Sequence, residues 1–409
     1  MKKRGLLALI LAMVMCLSVL AACAGDETPP ESSEGGETIS SGEGSGSVDG
    51  VVTVDIGLLR PHTGGAAYFG NSVEMGAMLY FDAFNASSDW QVNVILRDDE
   101  GDIARAVTMY NDLVDQGVTA ILGAVTSGPT MAVAPLAFED GMPMITATAT
   151  AAGVTVNQDT GEVFTNIFRA CFIDPFQGVK MAEFAVEVLN AETAAVLFAH
   201  DIDYSIGLYE AFAERAGEIG LDIVRVESFA DDAPDFMAQL TNIVEADPDV
   251  VFIPVYNRHT ALIGPQSAAA GLTATMLGAD GWAGTLEAIA DASTVEGAYY
   301  LTGFTYESSE EHIVDFIDRF EAEHGIMPNM FAAQAYDAAA ILVMAIEDAL
   351  NANLEPGSEA FKQAVIANMG ATDHNGVTGN ITFDSYNNPQ KTAFILKIVN
   401  GVATFWGTY

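Results

Sequence analysis

TAILGAVTSGPTMAVAPLAFEDGMPMITATATAA, residues Thr119–Ala152, decides the fold. The apolar run Ala120 to Gly123 predicts a buried strand; a small-residue turn follows, then a helix of about a dozen residues and a second short strand running into alternating Thr and Ala. Ser127 precedes Gly128 and Pro129, where a helix N-cap belongs, with Pro suited to the first turn and Gly allowing close approach to the backbone. The positive end of such a helix favours a carboxylate or phosphate, and Thr146, Thr148 and Thr150 bring neutral donors and acceptors beside it. Taken alone, Ser127 is equally well a plain helix cap.

Outward from this stretch the same alternation continues. Upstream lie a strand at Val51 to Leu59, a turn-rich loop from Arg60 to Gly70 carrying Tyr68 and Phe69, a helix from Asn71 to Ala86, a strand at Val92 to Leu96 and a helix ending at Gln116. Right-handed crossovers between these strands give an open parallel sheet covered on both faces. After Phe164 to Arg169 the alternation begins afresh. Helices at Pro175 to Leu189, Ser205 to Ile219, Pro234 to Glu245 and Thr260 to Ala270 are interleaved with strands at Ala194 to Phe198, Asp222 to Glu227, Val250 to Pro254 and Ala274 to Leu277. This second open sheet repeats the architecture without a readable sequence repeat. Long helices return at Glu310 to His324, Met330 to Leu350 and Glu359 to Asn368, and short strands at Gly379 to Phe383 and Thr392 to Val399 finish the chain. The expected class is therefore α/β with two Rossmann-like open parallel-sheet lobes, and ligand contact belongs in the crevice outside the carboxyl ends of the strands.

The 409 residues leave ample room for two lobes. Residues 1–22 have the basic head, apolar middle and small-residue end of an export signal, and Leu20-Ala21-Ala22-Cys23 resembles the bacterial lipobox, implying lipid on Cys23 and cleavage before it. An uncleaved membrane helix is the rival, but the apolar run is short for a span. Residues 23–50, rich in Gly, Ser, Glu and Thr, cannot bury enough surface to offset their ordering entropy and form an acidic tether. With Cys16 in the signal and Cys23 lipidated, Cys171 has no disulfide partner. A formal charge of −41 excludes a nucleic-acid binder and argues against a general scavenger of anions.

The usual signs of catalysis are missing. His62, His200, His259, His312, His324 and His374 show neither H-x-H nor H-E-x-x-H spacing, and no nucleophile elbow, dinucleotide fingerprint or Walker sequence occurs. The acidic loop from Asp98 fails as a calcium loop, since its sixth position is Ile103 and its twelfth Met109; it predicts a solvated turn with Asp102 starting the next helix. No catalytic residue, metal or cofactor is expected. What recurs is a polar or aromatic residue after each strand: Tyr204 in the loop after Phe198, Tyr256 after Pro254, and Asp280 between Ala279 and Gly281. Asp280 is either a cap for the helix from Thr285 or the partner of a buried cation, because an isolated buried charge costs several kcal/mol.

The order of Ala67-Tyr68-Phe69-Gly70, Arg97-Asp98-Asp99-Glu100-Gly101, Ile121-Leu122-Gly123 with Ser127, Met144-Ile145-Thr146 through Thr150, Tyr204 with Gly207, Gly278-Ala279-Asp280-Gly281, Tyr336-Asp337-Ala338 and Gly379-Asn380-Ile381-Thr382-Phe383-Asp384 resembles the leucine/isoleucine/valine-binding protein family, the type I periplasmic binding proteins that deliver solutes to ABC importers. The likeness covers Val51 to Phe405. It implies lobe 1 from 51–173 plus 304–380 and lobe 2 from 174–303 plus 381–409, with three hinge crossings near Cys171 to Asp174, Leu301 to Phe304 and Asn380 to Phe383. It further implies that an amino-acid carboxylate meets Ser127 and Thr150, that the ammonium meets the Thr148 carbonyl and Asp280, and that Tyr204, Tyr256, Phe69 and Phe331 surround the ligand. The family commonly has Glu where Asp280 stands. Arg60 and His62 depart from the usual small hydroxyl residues; either faces a polar ligand group, or Arg60 faces solvent. The implied partners are a small-molecule ligand, an ABC permease and, through the lipid, the outer face of the cytoplasmic membrane, with the protein itself a monomer. Two rivals stand: the same module serving a membrane sensor, and an extracellular hydrolase with Ser127 as nucleophile. Urea, short amides and aromatic acids are alternative ligands.

Overall fold

The computed structural model describes residues 51–409. The export signal, the Cys23 lipidation site and the acidic tether lie outside the described residues.

The first sheet is built from β1 (Val52–Arg60), α1 (Ala67–Asn85), β2 (Trp90–Asp98), α2 (Ile103–Asp115), β3 (Ala120–Gly123), α3 (Ser127–Glu139), β4 (Met144–Thr146) and β5 (Ile167–Arg169). Its strands are all parallel and lie in the order β2-β1-β3-β4-β5. The order reverses between β1 and β3, so a crevice opens beyond the carboxyl ends of those two strands. All four residues of β3 are buried, as a strand covered on both faces must be.

The second sheet repeats this winding. It comprises α4 (Asp174–Glu187), β6 (Thr193–Ala199), α5 (Asp203–Ile219), β7 (Asp222–Phe229), α6 (Met237–Ala246), β8 (Val250–Phe252), α7 (Asn257–Ala270), β9 (Thr275–Gly278), α8 (Thr285–Ala288) and β10 (Tyr299–Thr302). The parallel order β7-β6-β8-β9-β10 again switches direction, here between β6 and β8. The chain then returns through α9 (Glu311–His324), α10 (Met330–Asn351) and α11 (Glu359–Gly370), of which α10 packs on α1 and α11. β11 (His374–Gly376) and β12 (Gly379–Ile381) make a small antiparallel pair. β13 (Phe394–Val399) and β14 (Val402–Thr408) extend the second sheet antiparallel to β10. Helix α10 is apolar and long enough to cross a membrane by composition alone, but most of it is buried in this core.

Three expectations need correction. Helix α1 begins at Ala67, so Tyr68 and Phe69 sit on its first turn and not in a loop. The second sheet is mixed, because the chain ends in a hairpin whose last strand, β14, was not expected. Its turn is Asn400-Gly401, with φ of 54° and 73°, the left-handed pair that a tight two-residue hairpin requires. Thr126, not Ser127, is the N-cap of α3, and its side chain makes no capping bond. The turn at Asp98 is as expected: its carboxylate accepts from the backbone of His62 and Glu100 and from the Thr63 hydroxyl, while Asp102 caps α2 through the Arg105 N–H.

The contact between α1 and α10 depends on a single hydrogen atom. A Cβ at Gly76 would fall 2.0 Å from the carbonyl oxygen of Ala332. Gly76→Ala is expected to force the helices apart and lower stability by about 1–3 kcal/mol, read as a lower urea midpoint at unchanged slope.

Candidate ligand-binding site

The end of β3 and the end of β4 are stapled together by hydroxyls. Thr146 Oγ1 donates to the Ala124 carbonyl at 2.6 Å and Thr148 Oγ1 to the Val125 carbonyl at 2.7 Å. Both hydroxyls are thereby spent on the fold. Thr146 does not line the cavity, contrary to the expectation that it sits beside the anion seat. Ser127, buried at the start of α3, accepts the Ala151 N–H on its Oγ at 3.2 Å, leaving its own proton to donate. No side chain caps α3, and the Ser127 N–H at its start turns toward the Tyr256 hydroxyl across the cavity.

Opposite stand the strand ends of the second sheet. Tyr204 lies one residue into α5, Tyr256 is the N-cap of α7, and Asp280 follows β9. The Tyr204 hydroxyl donates to Asp280 Oδ1 at 2.6 Å, and Gln177 Nε2, from the first turn of α4, donates to the same oxygen at 3.0 Å. Gln177 Oε1 in turn accepts the Asp280 N–H at 3.0 Å, so one amide holds the residue at both backbone and side chain. Asp280 does not cap the helix at Thr285, whose N-cap is Gly284. At Gly281 a Cβ would come within 2.7 Å of the Tyr204 oxygen, so glycine is what lets the tyrosine reach the carboxylate.

Ser127, Thr148, Thr150, Tyr204, Tyr256, Asp280, Phe69 and Phe331 all line one small cavity, together with Val125, Thr126 and Gly281. The rings interlock around it: Tyr204 stacks on Tyr256 at 4.6 Å, and Phe69 meets Tyr256 at 5.4 Å and Phe331 at 4.9 Å. Larger grooves of about 380 and 490 Å³ run along the β13–β14 hairpin and the crossover after β10. The small cavity is where hydroxyls and an uncapped helix end from one sheet face a buried carboxylate from the other, and that chemistry outweighs volume.

Burial pushes the Asp280 carboxyl up to about 6 in spite of its hydrogen bonds from Tyr204 and Gln177. Burial, and then the charge of Asp280, push the neighbouring Asp174 carboxyl well above the usual carboxylate range. Of the two acids, Asp280 is the one held closer to the ordinary carboxylate range. Arg60 and His62 have no place here. Arg60 is buried but paired with Glu74 at 2.5 Å, and His62 is exposed beside the same glutamate, so Arg60 faces neither a ligand nor solvent. Gln177 and Asp174 escaped the sequence reading. Their one-turn spacing at the start of α4 was a signal, since two polar side chains on a first turn point to the same strand ends. Among the described residues no three His, Cys, Asp or Glu side chains cluster to hold a metal.

The model of the family described as periplasmic binding protein matches residues 53–402. The chain belongs to the periplasmic binding protein family. This periplasmic binding protein is 29% identical over 338 residues to the leucine-, isoleucine-, valine-, threonine- and alanine-binding protein of Pseudomonas aeruginosa, covering 81% of this chain and 86% of that one. Among solved structures it is similar to the leucine-binding protein LivK of Thermotoga maritima, with 30% identity, a TM-score of 0.79 and coverage of 87% and 98% of the two chains. It is also similar to LivJ of Streptococcus pneumoniae in complex with isoleucine, with 28% identity, a TM-score of 0.77 and coverage of 87% and 99%. The parallel-sheet lobes of this periplasmic binding protein are those of such type I proteins.

Proposed function

We propose that this periplasmic binding protein is the extracytoplasmic receptor of an ABC importer and holds a free amino acid, of branched-chain type or closely related, between its two lobes. The observation that carries this reading is the opposed polarity of one cavity. Ser127 and Thr150, from the first sheet, offer donors to a carboxylate, while Asp280, from the second, offers a buried negative charge to an ammonium. The Thr148 hydroxyl being engaged, its carbonyl is the group left for the same ammonium. Phe69, Phe331, Tyr204 and Tyr256 surround the side chain, which agrees with what the named relatives bind.

Bonding to both walls at once makes the ligand favour the closed arrangement, because the open one satisfies a single end. We assign 51–173 plus 304–380 to lobe 1 and 174–303 plus 381–409 to lobe 2, with the hinge at the three crossings. Lipid on Cys23 tethers the monomer at the outer face of the cytoplasmic membrane, where the closed form docks on its permease. Calorimetry against the free amino acids, urea, short amides and aromatic acids tests the reading. At least one amino acid is expected to bind with micromolar or tighter affinity. Binding confined to urea, amides or aromatic acids would overturn it.

Acidity supplies a second check. Below about 6 the unliganded Asp280 carboxyl holds a proton. An incoming ammonium must displace it, so affinity falls as pH drops, approaching about tenfold per unit. Above that pH the carboxylate is already charged and affinity levels off. Titrations from pH 5 to 8 should show this bend, together with proton release on the acid side; a flat profile would count against Asp280 as the ammonium partner.

A further inference from the structure

We propose that Arg169 is the buried counter-charge of the carboxylate seat, a positioning residue that aims the Thr150 N–H at the ligand and lends it positive potential through the peptide between them. This rests on the reading that a ligand carboxylate sits at Ser127 and Thr150. Arg169, the last residue of β5, is fully buried. Its Nη1 donates to the carbonyls of Ala149 at 3.0 Å and Ala151 at 2.9 Å, and its Nη2 to Thr155 Oγ1 at 3.1 Å. The guanidinium thus grips the chain on both sides of Thr150. Its Nε has no partner, and no carboxylate forms an ion pair with it among the described residues. The nearby acidic groups are Cys171, Asp174, whose carboxyl burial pushes well above the usual carboxylate range, and Asp384. A charge removed from water and left without a counter-ion is costly, and an anion one residue away would relieve that cost.

Around Thr150 the backbone polar groups are paired on both sides. The Ala149 N–H goes to Thr146 Oγ1, the Ala149 carbonyl to Arg169, the Thr150 carbonyl to the Asp174 N–H, the Ala151 N–H to Ser127 Oγ and the Ala151 carbonyl to Arg169. The Thr150 N–H is left over, although Thr150 is buried and lines the cavity. Buried N–H groups are almost always paired. Because a peptide is planar and trans, a carbonyl of Ala149 turned toward the guanidinium turns the Thr150 N–H the opposite way. The oriented peptide dipole then has its negative end on Arg169 and its positive end free for an acceptor. A guanidinium suits this task, since Nη1 holds the two carbonyls while Nη2, fixed in the same plane, is pinned by Thr155, whereas a point-like ammonium has no second nitrogen to fix its orientation.

The test compares acids with their amides. Wild type, Arg169→Met and Arg169→Lys are titrated at pH 7 with L-leucine, L-leucinamide, L-alanine and L-alaninamide, and each variant is melted to establish that it folds. Wild type is expected to prefer acid over amide strongly. Arg169→Met should shrink that preference by about tenfold, because acid binding falls and amide binding falls much less. Arg169→Lys, which keeps charge but loses the fork, should shrink it by less, and carries the test if the Met variant does not fold. A merely structural role lowers both affinities together, so an unchanged acid-to-amide ratio in a folded variant overturns the proposal. If the wild type binds neither acid, the same comparison is run with the amino acid that calorimetry finds to bind most tightly and its amide; binding of no free amino acid overturns the amino-acid reading itself, and this inference with it.

Discussion

Asp280→Ala is expected to weaken amino-acid binding by roughly 2–5 kcal/mol, or about thirtyfold to several thousandfold, because it leaves a desolvated ammonium without its counter-charge. The loss does not stop at the ligand. The Tyr204 hydroxyl and the Gln177 amide both donate to Asp280 Oδ1; the hydroxyl loses that acceptor inside a buried site, and the amide is left with only its longer bond to Asp174. Asp280→Asn separates these effects, keeping an oxygen for the two donors while removing the charge. The direction of the pKa shift fixes a further signature. Burial raises the folded-state value to about 6, above the ordinary carboxylate range, so the folded protein binds this proton more tightly than the unfolded chain does. The contribution of Asp280 to the stability of the ligand-free protein is therefore greatest below the unfolded pKa and is lost as pH rises through about 6. At pH 7 the ionised carboxylate burdens the empty fold. Asp280→Asn is accordingly expected to melt higher than wild type without ligand and to lose the rise in melting temperature that ligand gives wild type. Wild-type affinity in Asp280→Asn would show that the ammonium lies elsewhere.

Trp282→Ala is expected to cost about 3–5 kcal/mol of stability. The indole is 1% exposed, donates from Nε1 to the Ile253 carbonyl at 2.7 Å and stacks on Tyr300. Truncation removes a large buried side chain and one of the two hydrogen bonds to the Ile253 carbonyl, which keeps only the Val255 N–H. Asp280, Gly281 and Trp282 form one 3-10 turn, so the indole also anchors the carboxylate from below. The substitution should lower the urea midpoint strongly and weaken ligand binding in whatever fraction stays folded. A cost below about 1 kcal/mol would mean that the turn is held by its backbone alone. Between them the two substitutions separate the charge at this turn from its support.

Much of this arrangement is legible from residue order, because strands buried on both faces announce themselves as apolar runs and their ends as small, polar or aromatic residues. The segment from Ala120 to Thr150 yields strand, helix, strand and hydroxyls in the places observed. All eight candidate ligand residues meet at one cavity, since each follows a strand end or lies on a helix facing it. What escaped depends on three-dimensional partners. Gln177 looks like any polar residue of a helix until Asp280, a hundred residues away, is seen to take both ends of its amide. Arg169 sits in an apolar strand, and its carbonyl partners are backbone groups that no side-chain motif records. Thr146 and Thr148 carry the same hydroxyl, and which of them reaches the cavity depends on where β4 stops, Thr146 being its last residue and Thr148 lying beyond it. The closing hairpin was missed although Asn400-Gly401 is flanked by Val399 and Val402, the strongest short signal for such a turn. Cap position failed by one residue, as helix boundaries do when neither Thr126 nor Ser127 makes a capping bond.

A crystal structure with the tightest-binding amino acid in place bears most directly on the two-ended clamp. The carboxylate is expected within hydrogen-bonding distance of Ser127 Oγ and the Thr150 N–H, and the ammonium within that distance of Asp280 and the Thr148 carbonyl. A ligand turned end for end, or one seated in the groove beside β14 with Asp280 bonded to Tyr204 and Gln177 alone, would contradict it.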